Sequence, residues 1–276
     1  MINSTGNRLT MEIARQARLA DAIADSQTSI ATGKSIQSAS DDPVAAARVS
    51  QIHRAEANAN VWNANLDLAL SLSAQADSAL SDLSNHMARV QELMVAAASG
   101  QTSPADRATY ALELNGLAAQ VDSYMSAQSS LGEPLFSSGD AREMRFGQDV
   151  VFAPVPSRED VFGAGAMSLG QIIRDAASAV NAGDIAAVAI AQDNIGAAIN
   201  RTADAAADIG VRGARMDRMQ QAIDNRSIDL AAERSSLEDT DLAEAIARLN
   251  GQTITLEAAQ ATFARINRQT LFDILR

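Results

Sequence analysis

Residues 9–33 read LTMEIARQARLADAIADSQTSIATG, and residues 242–263 read LAEAIARLNGQTITLEAAQATF. In the first stretch Leu9, Ile13, Gln16, Ala20, Ile23, Gln27 and Ile30 recur at alternating gaps of four and three, and in the second Leu242, Ile246, Leu249, Thr253, Leu256, Gln260 and Phe263 do the same. Such spacing is the seam of a coiled coil. A helix with so narrow a stripe cannot bury it alone, so each end of the chain requires a second helix, its counterpart in the same chain or one from a neighbour. The candidate assembly interface is therefore Leu9, Ile13, Ala20, Ile23 and Ile30 at one end, with Leu242, Ile246, Leu249, Leu256, Phe263, Ile266 and Ile274 at the other. Glutamines and a threonine dilute both seams, which fits helices that stay unpaired in a free monomer and order on assembly.

Composition points the same way. Only 3% of the 276 residues are aromatic, too few for an ordinary bulky core, whereas the abundant Ala, Leu and Ile suit long helices packed closely side by side. The formal charge of −12 offers no net attraction to phosphate, so nucleic acid is not an expected partner. No stretch approaches the roughly 20 apolar residues of a membrane span, and the first residues lack the charged and apolar regions of a secretory signal. With no cysteine, disulfides, thiolate nucleophiles and Cys-based zinc sites are excluded.

Punctuation residues divide the chain into helices. The first runs from about Asn7 to Thr32 and stops at Gly33; Asp42 and Pro43 then form a start signal, a capping carboxylate followed by a residue with no donor to leave unpaired. From Val44 to about Ser99 there is neither proline nor glycine, which predicts one helix on the order of 80 Å long. Gly100 ends it, Ser103 and Pro104 start a third helix running to about Ser130, and Asp106 complements its dipole. Between Leu131 and Gly170 the texture changes to glycines, prolines and apolar bursts at Leu135-Phe136, Met144-Arg145-Phe146 and Val150-Val151-Phe152, read as short strands, with Gly147-Gln148-Asp149 turning a hairpin. Helix resumes near Leu169, pauses at Asn181 to Asp184, restarts with Asp184 as cap, and breaks again around Ser236 to Thr240 before a terminal helix to about Leu275. Gly210 and Gly213 are points of weakness or of close packing.

The expected fold is mainly α: an elongated antiparallel helical rod with a small β-turn region at one tip and paired N- and C-terminal helices. Its segments are 1–42 and 237–276 as the coiled-coil ends, 43–130 and 169–236 as the two halves of the rod, and 131–168 as the tip. No chemistry is legible. His53 and His86 lie about 50 Å apart along one helix and cannot share a metal within a monomer. The glycines of residues 163–170 lack phosphate-loop spacing. Asp41-Asp42 and Asp239-Thr240-Asp241 sit where helices begin, so capping accounts for them without calcium. No catalytic residue, cofactor or metal is expected.

The stretch Ile30-Ala31-Thr32-Gly33-Lys34-Ser35-Ile36 with Ser38-Ala39-Ser40-Asp41-Asp42-Pro43, the block Arg89 to Gly100 (Arg-Val-Gln-Glu-Leu-Met-Val-Ala-Ala-Ala-Ser-Gly), and Ser235-Ser236-Leu237-Glu238-Asp239-Thr240-Asp241-Leu242-Ala243-Glu244 resemble three signatures of the bacterial flagellin superfamily, in order, over nearly the whole chain. Within it, Asp41 to Val44, Leu131 to Gly139 and Thr270 to Leu275 are similar to the hook-filament junction branch, while Arg276 and the short tip are flagellin-like. The resemblance implies a structural, extracellular subunit, exported without a cleaved signal peptide and not an enzyme. Its implied partners are copies of itself in a helical tube, hook-side and filament-side flagellar proteins, and a cytosolic export chaperone. A filament-forming flagellin is the first alternative, and a non-flagellar helical binding module the second.

Overall fold

A computed structural model describes residues 2–99 and 102–274, with side chains for 10–99 and 102–265. Its helices are α1 (Ile2–Thr32), α2 (Pro43–Ala98), α3 (Pro104–Met125), α4 (Arg158–Phe162), α5 (Leu169–Ala182), α6 (Ile185–Glu238) and α7 (Leu242–Ile274), with strands β1 (Met144–Arg145) and β2 (Val151–Phe152) between α3 and α4. The described part is therefore mainly α. The chain divides into two compact units, one formed by residues 1–57 and 227–276, the other by 58–226. Helices α2 and α6 contribute to both.

The helix starts follow the expected chemistry. Asp42 Oδ1 accepts from the amides of Val44 and Ala45 at 3.0 and 2.9 Å, and Asp184 Oδ1 accepts from Ala186 and Ala187 at 3.0 and 3.1 Å. Asp241 repeats the arrangement for α7, accepting from Ala243 and Glu244 at 2.9 and 3.1 Å. Each carboxylate satisfies amides that have no partner within the helix and lies at the positive end of its dipole. Ser103 and Asp106 form a reciprocal capping box around Pro104.

In the unit of residues 58–226, α3 packs against α5, and Leu80, Leu83, Met87, Leu114, Val121, Ile173 and Ile195 form the core with Phe162. The two strands pair antiparallel, Met144 with Phe152 and Arg145 with Val151, so the expected hairpin is present. Phe146 and Phe152 lie 4.6 Å apart by ring centroid, and Arg215 stacks 4.2 Å over Phe152. A second cluster of Leu66, Ala69, Phe146 and Met216 anchors the hairpin.

Four expectations are corrected. Leu135 and Phe136 form no strand; both are buried, and Phe136 meets Phe162 edge to face at 5.3 Å. Their apolar character marks core rather than sheet. The third helix ends at Met125, with the amides of Ser126 and Ala127 turning back to Ser123 and Tyr124. Helix α4, capped by a Ser157–Asp160 box, lies in the region read as β and turn alone. Gly210 and Gly213 neither break α6 nor permit close approach, since a Cβ at either meets nothing within 4 Å.

Candidate assembly surface

Two helix interruptions decide the geometry of the terminal unit. Between α6 and α7 only residues 239–241 are non-helical, and between α1 and α2 only residues 33–42. These two gaps meet. Lys34 and Asp239 form an antiparallel bridge in which the Ser35 amide donates to the Glu238 carbonyl at 2.6 Å and the Thr240 amide donates to the Gly33 carbonyl at 2.9 Å. Lys34 Nζ lies 3.3 Å from the Glu238 carboxylate, whose residue is 91% buried by its 9% exposure. Gly33 turns the chain into the bridge with φ +70°, a conformation that costs a residue bearing a Cβ. Asp41 ties the same turn together by accepting from the Ser38 and Gln37 amides at 2.7 and 3.0 Å; those bonds, Ser38's first, hold its carboxyl below the usual 3.8.

Beyond the bridge, α1 packs against α7. The expectation that the two ends stay unpaired in a single chain is thus corrected: the partner of each is the other. The less exposed residues of α1 include Glu12, Gln16, Leu19, Ile23, Ser26 and Ile30, and those of α7 include Ala245, Leu249, Gln252, Leu256, Ala259 and Phe263. Both sets alternate gaps of four and three. Lettered as heptads, Gln16, Ile23, Ile30, Leu249, Leu256 and Phe263 are a positions, and Leu19, Ser26, Ala245, Gln252 and Ala259 are d positions. Ser26 donates across the seam to Gln252 Oε1 at 2.9 Å.

The stripe read from the sequence was the a and e rows, and only its a row faces the partner helix. Ile23, Ile30, Leu249, Leu256 and Phe263 come together in the seam, while Leu242, at the seam's end, remains 49% exposed. The e-row residues Ile13 and Ile246 are 54% and 48% exposed, and Ala20 is exposed as well. The side chains of Leu9, Ile266 and Ile274 lie outside the described residues. What the sequence reading missed is the d row, because Ser26, Ala245, Gln252 and Ala259 carry no strong apolar signal.

In an antiparallel pair the rows flanking the seam meet like with like, so the e rows of α1 and α7 border one side of the pair. That side presents Ile13, Ala20 and Ile246 to solvent together with Gln27, Thr253 and Gln260. The opposite side is polar: a 370 Å³ cleft lined by Ser26, Ser29, Asp241, Glu244 and Arg248 among others, with Arg248 paired to Glu244 at 2.6 Å. One face exposes isoleucines among polar residues, and the other is a polar cleft.

Where α2 and α6 enter this unit, ion pairs link them. Arg48 reaches Glu233 with two bonds of 2.6 and 2.8 Å, which raise its pKa further, and Glu56 sits between Arg234 at 3.2 Å and His53 at 3.3 Å. His53 is thus a surface residue, and His86 lies in the other unit, its Nε2 3.4 Å from the Tyr124 hydroxyl. Among the described residues no group of three or more His, Cys, Asp or Glu side chains is placed to hold a metal, and no helix is long and apolar enough to cross a membrane.

Comparison with known proteins gives concordant matches. The family model described as bacterial flagellin N-terminal helical region matches residues 4–139, and that described as bacterial flagellin C-terminal helical region matches residues 192–275. The flagellin of Listeria monocytogenes serovar 1/2a is 25% identical over 257 residues, covering 90% of this chain and 89% of that protein. The flagellin of Listeria innocua serovar 6a is 24% identical over 258 residues, with the same coverage. A solved structure described as a flagellar hook-associated protein from Vibrio parahaemolyticus superposes with a TM-score of 0.65 at 17% identity, over 72% of this chain and 100% of its own. That last likeness concerns the fold.

Proposed function

The chain belongs to the bacterial flagellin family, and from that premise we propose that this structural subunit of the flagellum sits at the junction between hook and filament, in a helical layer of its own copies. The observation that carries the assembly part is the shared e-row face of α1 and α7. Ile13 and Ile246 stand about half exposed on the same side of a pair whose own seam is already occupied, so a further helix is needed to cover them. Copies related by a screw operation supply such helices, because heterologous contacts that do not close into a ring generate tubes. The candidate interface is accordingly narrowed to Ile13, Ala20 and Ile246, with Ile23, Ile30, Leu249, Leu256 and Phe263 reassigned to holding the pair together. Leu9, Leu242, Ile266 and Ile274 remain candidates for the interface.

The junction position is supported by Asp41 to Val44, Leu131 to Gly139 and Thr270 to Leu275, the elements that resemble that branch. In the second of them Leu135 and Phe136 are core residues, so the element has a structural reason to persist in a subunit with little outer domain. On this reading the subunit contacts a hook-side protein below and a filament-side protein above, reaches the cell exterior without a cleaved signal, and is escorted in the cytosol by an export chaperone that shields α7. A filament role has its own support, since the two Listeria proteins of matching length are flagellins.

Adding purified subunit to isolated hooks separates the two. A junction subunit caps hook ends with a layer that stops; long filaments grown from subunit alone overturn the junction reading in favour of the filament one. Failure to bind hooks and to self-associate would sink both.

A further inference from the structure

The seam between α1 and α7 does not choose its own register. Antiparallel packing sets an a residue against a d residue, and continuing the heptads from the Lys34–Asp239 bridge aligns Ile30 with Ala245, Ile23 with Gln252, and Leu19 with Leu256. Slide α1 by one heptad away from the bridge and Ile30 meets Gln252, Ile23 meets Ala259, and Leu19 meets Phe263. The apolar content of the slipped seam is no poorer, because the a row of α7 is Leu, Leu, Leu, Phe and its d row Ala, Gln, Ala. Against this degeneracy stands the Ser26–Gln252 hydrogen bond, made between two partly exposed side chains whose flexibility lets it re-form in a neighbouring alignment.

Nor does chain connectivity forbid the slip. One heptad is about 10 Å along a helix. Helix α7 is tied to α6 by residues 239–241, but α1 is joined to α2 through residues 33–42, enough chain to absorb that displacement. The contacts that oppose it are the bridge bonds of Gly33, Lys34 and Ser35 to Glu238, Asp239 and Thr240.

We infer that this bridge is the register lock of the terminal pair, with the Ser35 and Thr240 amides as the positioning groups. It sits beside the first layer and fixes where α1 starts its descent along α7; the seam then supplies strength without selecting alignment. The consequence rests on the assembly reading: a slipped pair displaces the e row of α1 by about 10 Å against that of α7, so that no neighbour can cover both.

The absence of cysteine makes the register directly readable in the full chain. Leu19→Cys with Leu256→Cys reports the observed register, and Leu19→Cys with Phe263→Cys reports the slipped one. In the parent background oxidation closes the first pair alone. Ser35→Pro with Thr240→Pro deletes both bridge donors, and the two cross-links then form at comparable yield, within about threefold of each other. Ser35→Ala with Thr240→Ala keeps the amides and keeps the single product. Ser26→Leu, with the bridge intact, also keeps the single product. A single product in the proline variant at unchanged helicity overturns the inference, as does a second product in Ser26→Leu, whatever becomes of the proline variant's folding. Because the cross-links are read in unassembled subunit, their outcome is independent of whether copies associate through the e rows.

Discussion

Replacing Ile13 and Ile246 together by alanine removes apolar surface that the single chain leaves about half exposed. Full burial of an isoleucine side chain contributes roughly 1.5–3 kcal/mol, so the half still available at each site is worth about 0.8–1.5 kcal/mol on association. The two sites together come to about 1.5–3 kcal/mol per subunit, which at 1.4 kcal/mol per factor of ten raises the critical concentration for assembly roughly 10- to 100-fold. Neither residue packs in the seam of its own pair, so the thermal midpoint of the unassembled subunit shifts by the small amount usual for surface substitutions, about 0.5 kcal/mol or less. The assay is sedimentation of assembled subunit across a concentration series, beside circular dichroism of the monomer. Leu249→Ala with Leu256→Ala is the contrast: it weakens the α1–α7 pair itself and lowers terminal helicity before assembly begins. If the Ile13 and Ile246 variant assembled at the parent's critical concentration to within about twofold, the e-row face would not be the interface and the argument from exposure would be wrong.

Gly33→Ala meets no atom within 4 Å, so its cost is purely that of a positive φ, about 1 kcal/mol, seen as a lower denaturation midpoint of the terminal unit. Asp41, whose folded pKa is depressed below 3.8, contributes stability that is present above that value and lost as pH falls through its lower folded value. Protection of the Gln37 and Ser38 amides, taken against the intrinsic exchange rate at each pH, should therefore fall on acidification through that range, and Asp41→Asn should show low protection throughout. Gly170→Ala would place a Cβ 2.0 Å from Asp122 Oδ1 and disturb the Asp122–Arg174 pair; a loss of about 1–3 kcal/mol is expected, and Asp122→Ala should recover most of it in a double-mutant cycle. Phe136→Ala empties a fully buried site against Phe162 and should cost about 3–5 kcal/mol by thermal unfolding.

Punctuation was the most legible part of the fold. Asp42, Ser103, Asp184 and Asp241 act through backbone amides within three residues of themselves, so their meaning is local and survives without knowledge of the tertiary structure. The strands at Leu135-Phe136 were misread for the opposite reason: a short apolar run says that a segment is buried, and only its surroundings decide whether a neighbouring strand exists to pair with it. Ser157 and Asp160 did carry a local signal for α4, the same reciprocal box found at Ser103 and Asp106, hidden by the prolines and glycines around it.

The interface was half legible, and the missing half follows from how apolar residues are counted. Reading a seam from strong side chains selects a and e, since Ile13 and Ile246 outweigh Ser26 and Ala245. Packing selects a and d, since those rows straddle the line of closest approach whatever they contain. A three-row stripe whose strongest residues are split between a and e therefore holds two pieces of information at once. Its a row is shared between uses: it joins the small d row to make the internal pair, and it borders the e row on the side where a further helix would lie. Small and polar d residues make the seam degenerate, and a degenerate seam needs its alignment imposed from outside. The bridge of Lys34 with Asp239 lies where that must happen, at the one point where both interruptions are hydrogen-bonded to each other before either terminal helix has run a turn.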